Sequence, residues 1–268
     1  MKKLYLTVAG LLLVGSVFLM GGDCGGEQPN DIGLQYSVQN NGGTVRLTWD
    51  VIDGADYYTI AVDGTIIDST ADNSTVTYDV TETNPGKTIV VTAVGTDPLL
   101  TGTITFDMVL SSSVKVWTKN DPSPDHPSWV SFDASGNATA VPASGKATAA
   151  WYMEDDGSES WFATNYTGAG GWNSNLDVGF NVEAGNVGDI KVAPAPGGYF
   201  QDFPHGSSLG SNQVGTFWLD ASADYAIGVG DHFGKFVISN FNANDGGYPS
   251  ATSNIYYQSE PMLRWVVD

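Results

Sequence analysis

The stretch Val45-Arg46-Leu47-Thr48-Trp49, followed by Asp53-Gly54-Ala55-Asp56-Tyr57-Tyr58-Thr59-Ile60, decides the fold class. Val45, Leu47 and Trp49 alternate with Thr44, Arg46 and Thr48, the period of two that a half-buried antiparallel strand requires. Tyr58, Ile60 and Val62 repeat the alternation. Asp63-Gly64 then supplies a two-residue hairpin before Thr65-Ile66-Ile67, because that turn needs residues tolerant of positive φ. Working outward, residues 34–38, 76–80, 88–94 and 103–109 complete a set of seven strands. The reading is an all-β chain whose first domain, residues 31–110, is a β-sandwich with Trp49 and Tyr58 in its core.

The same residues resemble a fibronectin type III domain, through the tryptophan that ends Val45–Trp49 and the tyrosine of the strand after Asp53-Gly54. That resemblance implies a spacer or docking module rather than a particular activity.

Ser111-Ser112-Ser113 reads as a linker, and seven of the eight tryptophans lie beyond it: Trp117, Trp129, Trp151, Trp161, Trp172, Trp218 and Trp265. Such density either lines a ligand groove, since an indole pairs an apolar face with a polar handle, or fills a β core poor in aliphatic residues. The sequence leaves both readings open. Ser128-Trp129-Val130-Ser131-Phe132-Asp133-Ala134-Ser135-Gly136, Trp161-Phe162-Ala163-Thr164-Asn165-Tyr166-Thr167-Gly168, Asp224-Tyr225-Ala226-Ile227-Gly228-Val229, Phe233-Gly234-Lys235-Phe236-Val237-Ile238 and Ile255-Tyr256-Tyr257-Gln258 resemble segments of the HmuY-like family of bacterial surface lipoproteins. Where that family tends to carry Trp-Asp, this chain has Trp151-Tyr152. The resemblance spans residues 114–268 and implies an all-β domain with haem as ligand.

Haem iron takes His or Met donors and the porphyrin an apolar slot. The candidate ligand residues are therefore His205, in the loop Phe203-Pro204-His205-Gly206, then His126, His232 and Met153, with Lys235 as a cation for the propionates. His205 also reads as an ordinary surface histidine and Met153 as core, while His126 lies in another Pro-rich loop and His232 at a hairpin turn. Charge opposes haem: from Val114 onward six Lys and Arg face seventeen Asp and Glu.

Catalytic signals are weak, and no enzyme is expected. Gly206-Ser207-Ser208-Leu209-Gly210 fits G-x-S-x-G with Asp220 or Asp231 and His232 following, but the motif needs a strand-to-helix elbow that neither flank suggests. Glu154, Asp155, Asp156 and Glu159 surround Gly157-Ser158, so they read as a solvated hairpin tip rather than paired catalytic carboxylates. Asn240 to Asp245 lacks the glycine and glutamate positions of a calcium loop, and no metal site is expected.

At the N-terminus, Lys2 and Lys3 precede the apolar run from Leu4 to Met20, as in a secretory signal. Residues 1–23 are read as that signal and residues 24–30 as a tether. Cys24 stands where a bacterial lipoprotein carries its lipidated cysteine, although Asp23 replaces the usual small residue before it. A net charge of −20 excludes nucleic acid as a partner. The expectation is an exported binding lipoprotein of the cell envelope, taking haem or another small ligand. The alternative is an adhesion or assembly module that binds proteins or glycans.

Overall fold

The computed structural model describes residues 32–164, 177–204, 206–221 and 226–268. The first seven strands are β1 (Gln35–Gln39), β2 (Thr44–Thr48), β3 (Tyr57–Val62), β4 (Thr65–Ser69), β5 (Thr77–Thr81), β6 (Thr88–Val94) and β7 (Leu100–Thr105). They form one antiparallel sheet in the order β1-β2-β5 and another in the order β4-β3-β6-β7. Alternation does what the sequence requires of it: Val45, Leu47, Tyr58, Ile60, Ile89, Val91 and Ala93 are all fully buried between the sheets. The β3–β4 turn has Asp63 at φ 47° and Gly64 at φ 79°, and the Asp63 carboxylate accepts the amides of Lys87 and Thr88 at 3.0 and 2.8 Å. A single turn residue thus fixes both the hairpin and its neighbouring strand.

The strand expected over residues 103–109 is split. β7 ends at Thr105, and Met108 already opens β8 (Met108–Trp117). Ser111-Ser112-Ser113 lies inside that ten-residue strand rather than in a linker, with Ser111 paired to Ile255. The chain passes from one sandwich to the next through Phe106 and Asp107 alone.

The second sandwich contains β8, β9 (Trp129–Phe132), β10 (Ala138–Val141), β11 (Trp151–Asp155), β12 (Ser160–Thr164), β13 (Asp177–Glu183), β14 (Asp202–Phe203), β15 (Val214–Asp220), β16 (His232–Asp245) and β17 (Tyr248–Gln258). Its sheets run β10-β9-β11-β12-β14 and β13-β15-β16-β17-β8. Between them Trp151, Phe162, Phe180, Phe203, Phe217 and Phe236 are packed, with Phe203 and Phe236 in an edge contact at 4.7 Å. These rings fit because two strand positions lack side chains. A Cβ at Gly234 would lie 2.2 Å from Phe217, and one at Gly215 would lie 2.6 Å from Phe203. Much of the aromatic density of this half therefore fills a core, each ring contributing roughly 1.5–3 kcal/mol of burial.

The last residues join the two sandwiches. Leu263, Trp265 and Val267 complete the core of the first, with Trp265 edge-on to Phe106 at 6.1 Å. Val266, facing the other way, joins Ile190, Ala193, Val214, Trp218 and Phe233 on the outer side of the β13-β15-β16 sheet. Arg264 donates to the carbonyls of Asn41 at 2.8 Å and Ala193 at 2.7 Å and pairs with Glu82. Trp265, counted by sequence with the second half, belongs structurally to the first.

Candidate functional site

The residues expected to hold haem do not converge. Met153 is fully buried in the second core. Lys235 is fully buried beneath the chain ends, with Nζ 3.0 Å from the Ile190 carbonyl and 2.7 Å from Asp268 Oδ1. Its charge is already matched there, leaving none for a propionate. His232 opens β16, stacks on Tyr257 at 4.7 Å, and donates from Nδ1 to the Gln258 carbonyl at 3.0 Å. His126 lies near the other end of that long strand, since Lys115 and Asp245 pair at 2.6 Å beside Trp117, on which His126 stacks. His205 and Cys24 lie outside the described residues. The described donors therefore do not fit a haem iron: Met153 is core, and the two histidines occupy opposite ends of the sheet.

The catalytic patterns resolve into structural contacts. Ser208 Oγ accepts the Ser160 amide at 3.0 Å in a loop flanked by antiparallel strands, with no strand-to-helix elbow. Asp231 receives Trp218 Nε1, the Ala221 amide and the Gly228 amide at 3.2, 2.9 and 3.0 Å. Asp156 accepts the amides of Ser158 and Glu159 at the β11–β12 hairpin tip, and those bonds hold its carboxyl below the usual range.

A different constellation emerges on the outer face of the β10-β9-β11-β12-β14 sheet. Alternation sends Val130, Trp151 and Met153 inward, so Trp129, Tyr152 and Glu154 point outward. Register places Val141, Trp129, Tyr152 and Ala163 in one row across four strands, and Trp161 opposite Glu154 in the next. Trp129 and Tyr152 pack at 4.4 Å. Lys119 Nζ lies 5.0 Å above the Tyr152 ring and 2.5 Å from Glu154 Oε2. Burial, with the charge and hydrogen bond of Glu154, pushes the Tyr152 phenol up to about 12, so it stays a neutral donor.

The edge of this face is built by the chain leaving β8. Thr118 bridges Met153, and the Lys119 amide donates to the Met153 carbonyl at 2.9 Å. The Trp117 amide donates to the Pro127 carbonyl at 2.9 Å, which brings the 117–127 loop against the start of β9. Trp117 carries Lys115 Nζ at 4.2 Å from its ring centre and the His126 imidazole stacked at 4.4 Å and 2°. Asp121, whose side chain is 1% exposed, fixes the histidine through Nδ1 at 2.6 Å. Sequence reading noted Tyr152 only as a departure from a family pattern. Its signal was the parity of Trp151-Tyr152-Met153, which separates one core ring from one outward ring.

A cleft of about 480 Å³ also opens between the sandwiches, with Glu82 and Glu183 beside Arg264. Its polar groups are engaged with one another, Glu183 Oε1 accepting from Asn181 and Thr216 at 2.9 and 3.1 Å. Among the described residues, no group of three or more His, Cys, Asp or Glu could hold a metal ion, and no helix is long and apolar enough to cross a membrane. In comparisons with known proteins, no family model and no curated protein matches the chain.

Proposed function

We propose that this chain is an exported, non-catalytic binding protein, held at the cell envelope through lipid on Cys24. Its first sandwich, a fibronectin type III-like module, serves as spacer, and the outer aromatic face of the second is the ligand surface. The three-plus-four division of the first seven strands supports the spacer assignment. One observation carries the binding role: Trp129 and Tyr152 point away from a core that already holds seven large aromatic side chains, and Lys119 and Glu154 hold Tyr152 in place. Aromatic side chains that face out in fixed positions beside polar groups are the makings of a recognition surface.

The anchor is tested by palmitate labelling of wild type and Cys24→Ala, with label expected only in the wild type. The surface is tested by co-sedimentation of the purified protein with the insoluble envelope and matrix polymers of the producing cells. Trp129→Ala combined with Tyr152→Ala is expected to lower the bound fraction at least tenfold. Ile66→Ala, at an exposed apolar position on the first sandwich, is expected to leave it unchanged. Equal sedimentation of the double variant and the wild type would dismiss this face.

A further inference from the structure

We infer that the ligand of this face is a neutral polysaccharide, an inference that rests on the binding role proposed above. The first support is the texture of the surface. The strongly exposed large apolar residues, such as Val51, Ile66, Leu99 and Val229, lie elsewhere, and Trp117, Trp129, Tyr152 and Trp161 are each only partly exposed. A protein partner needs about 800 Å² per side with a continuous apolar centre. Here isolated ring surfaces alternate with charged groups instead.

The second support is chemical pairing. Tyr152 is bracketed by Lys119 and Glu154, and Trp117 by Lys115 and His126. A pyranose matches that setting: its apolar C–H face can lie on the partly exposed Trp129 and Trp161, and its equatorial hydroxyls bond Lys119 and Glu154 beside them. The Val141–Trp129–Tyr152–Ala163 row crosses four strands. At strand spacing it extends about 14 Å, the length of a short oligosaccharide.

Charge and order add two further arguments. A molecule at −20 repels polyanions, so an uncharged polymer is the glycan class it can approach without penalty. The rings are also held before any ligand arrives: Trp129 against Tyr152, Tyr152 under Lys119, and His126 anchored by the buried Asp121. Little side-chain freedom then remains to be lost on binding.

Affinity electrophoresis of the purified protein tests this, through gels containing hydroxyethylcellulose, arabinoxylan, galactomannan or a soluble β-1,3-glucan, with polygalacturonate as the anionic comparison. At least one neutral polymer is expected to retard the wild type. Trp129→Ala should weaken that retardation tenfold or more, while Tyr152→Phe, which keeps the ring, retains most of it. If thermal melting shows that Trp129→Ala is unfolded, Trp161→Ala carries the same expectation. Retardation by no neutral polymer, stronger retardation by polygalacturonate, or equal retardation of the folded Trp→Ala variant each overturns the inference. Trp129-dependent co-sedimentation without any neutral-polymer binding overturns the ligand class alone; loss of both removes the binding face.

Discussion

His232 titrates against the fold. Burial pulls its pKa below the ordinary 6.5, outweighing the Gln258 carbonyl and Asp231, which favour the cation. The unfolded chain therefore binds the proton more readily, so stability is complete above pH 6.5 and declines as pH falls from there towards the folded value. Asp231 and Glu260 act oppositely: burial raises both, so protonation at lower pH relieves the folded state. Urea midpoints of wild type and His232→Gln at pH 7.5 and 5.5 separate these effects. Only the wild type is expected to carry the His232 loss, and parallel pH profiles would refute it. The haem candidates show why residue type alone misleads. Met153 and Lys235 were legible as chemistry-bearing residues, but their burial and partners arise from contacts with distant segments, such as Lys235 with Asp268.

Secondary elements were more legible than their junctions. The alternation in residues 44–49 and 57–62 and the Asp63-Gly64 turn are local properties, and each appears where sequence places it. The serines at 111–113 look like a linker locally, yet β17 supplies the hydrogen-bonding edge that draws them into β8. Trp265 is the sharper case, since no local pattern says which sandwich it completes. Trp265→Ala is expected to cost about 3–5 kcal/mol, the usual range for removing a buried indole. Among the described residues its Nε1 has no hydrogen-bond partner, so Trp265→Phe should cost far less. Chemical denaturation of both variants checks the order, and equal losses would contradict it.

At the scale of the whole molecule, two sandwiches could be expected to melt separately, as domains on a linker do. Here β8 runs directly from the first, and the chain from Glu260 onward returns to it. Glu260 accepts from Tyr36 at 2.8 Å, Arg264 bonds Asn41 and Glu82, and Trp265 sits in the core. Scanning calorimetry is therefore expected to show a single cooperative transition; two resolved peaks would show that the tail does not couple the halves. The sequence carried the all-β class because periodicity is local. It did not carry the coupling, which depends on residues more than 200 positions apart, nor the outward aromatic row, which depends on strand register.

The placement of Leu263, Trp265 and Val267 also sets an order in time. When the ribosome has released the residues of the first seven strands, the hydrophobic interior they enclose still lacks the side chains that complete it. Those arrive only after the second sandwich has been synthesised, so the earliest-made part of the chain is among the last to finish folding. On the export proposed above, this arrangement would keep the leading sandwich loose until the trailing segment is through the translocation pore.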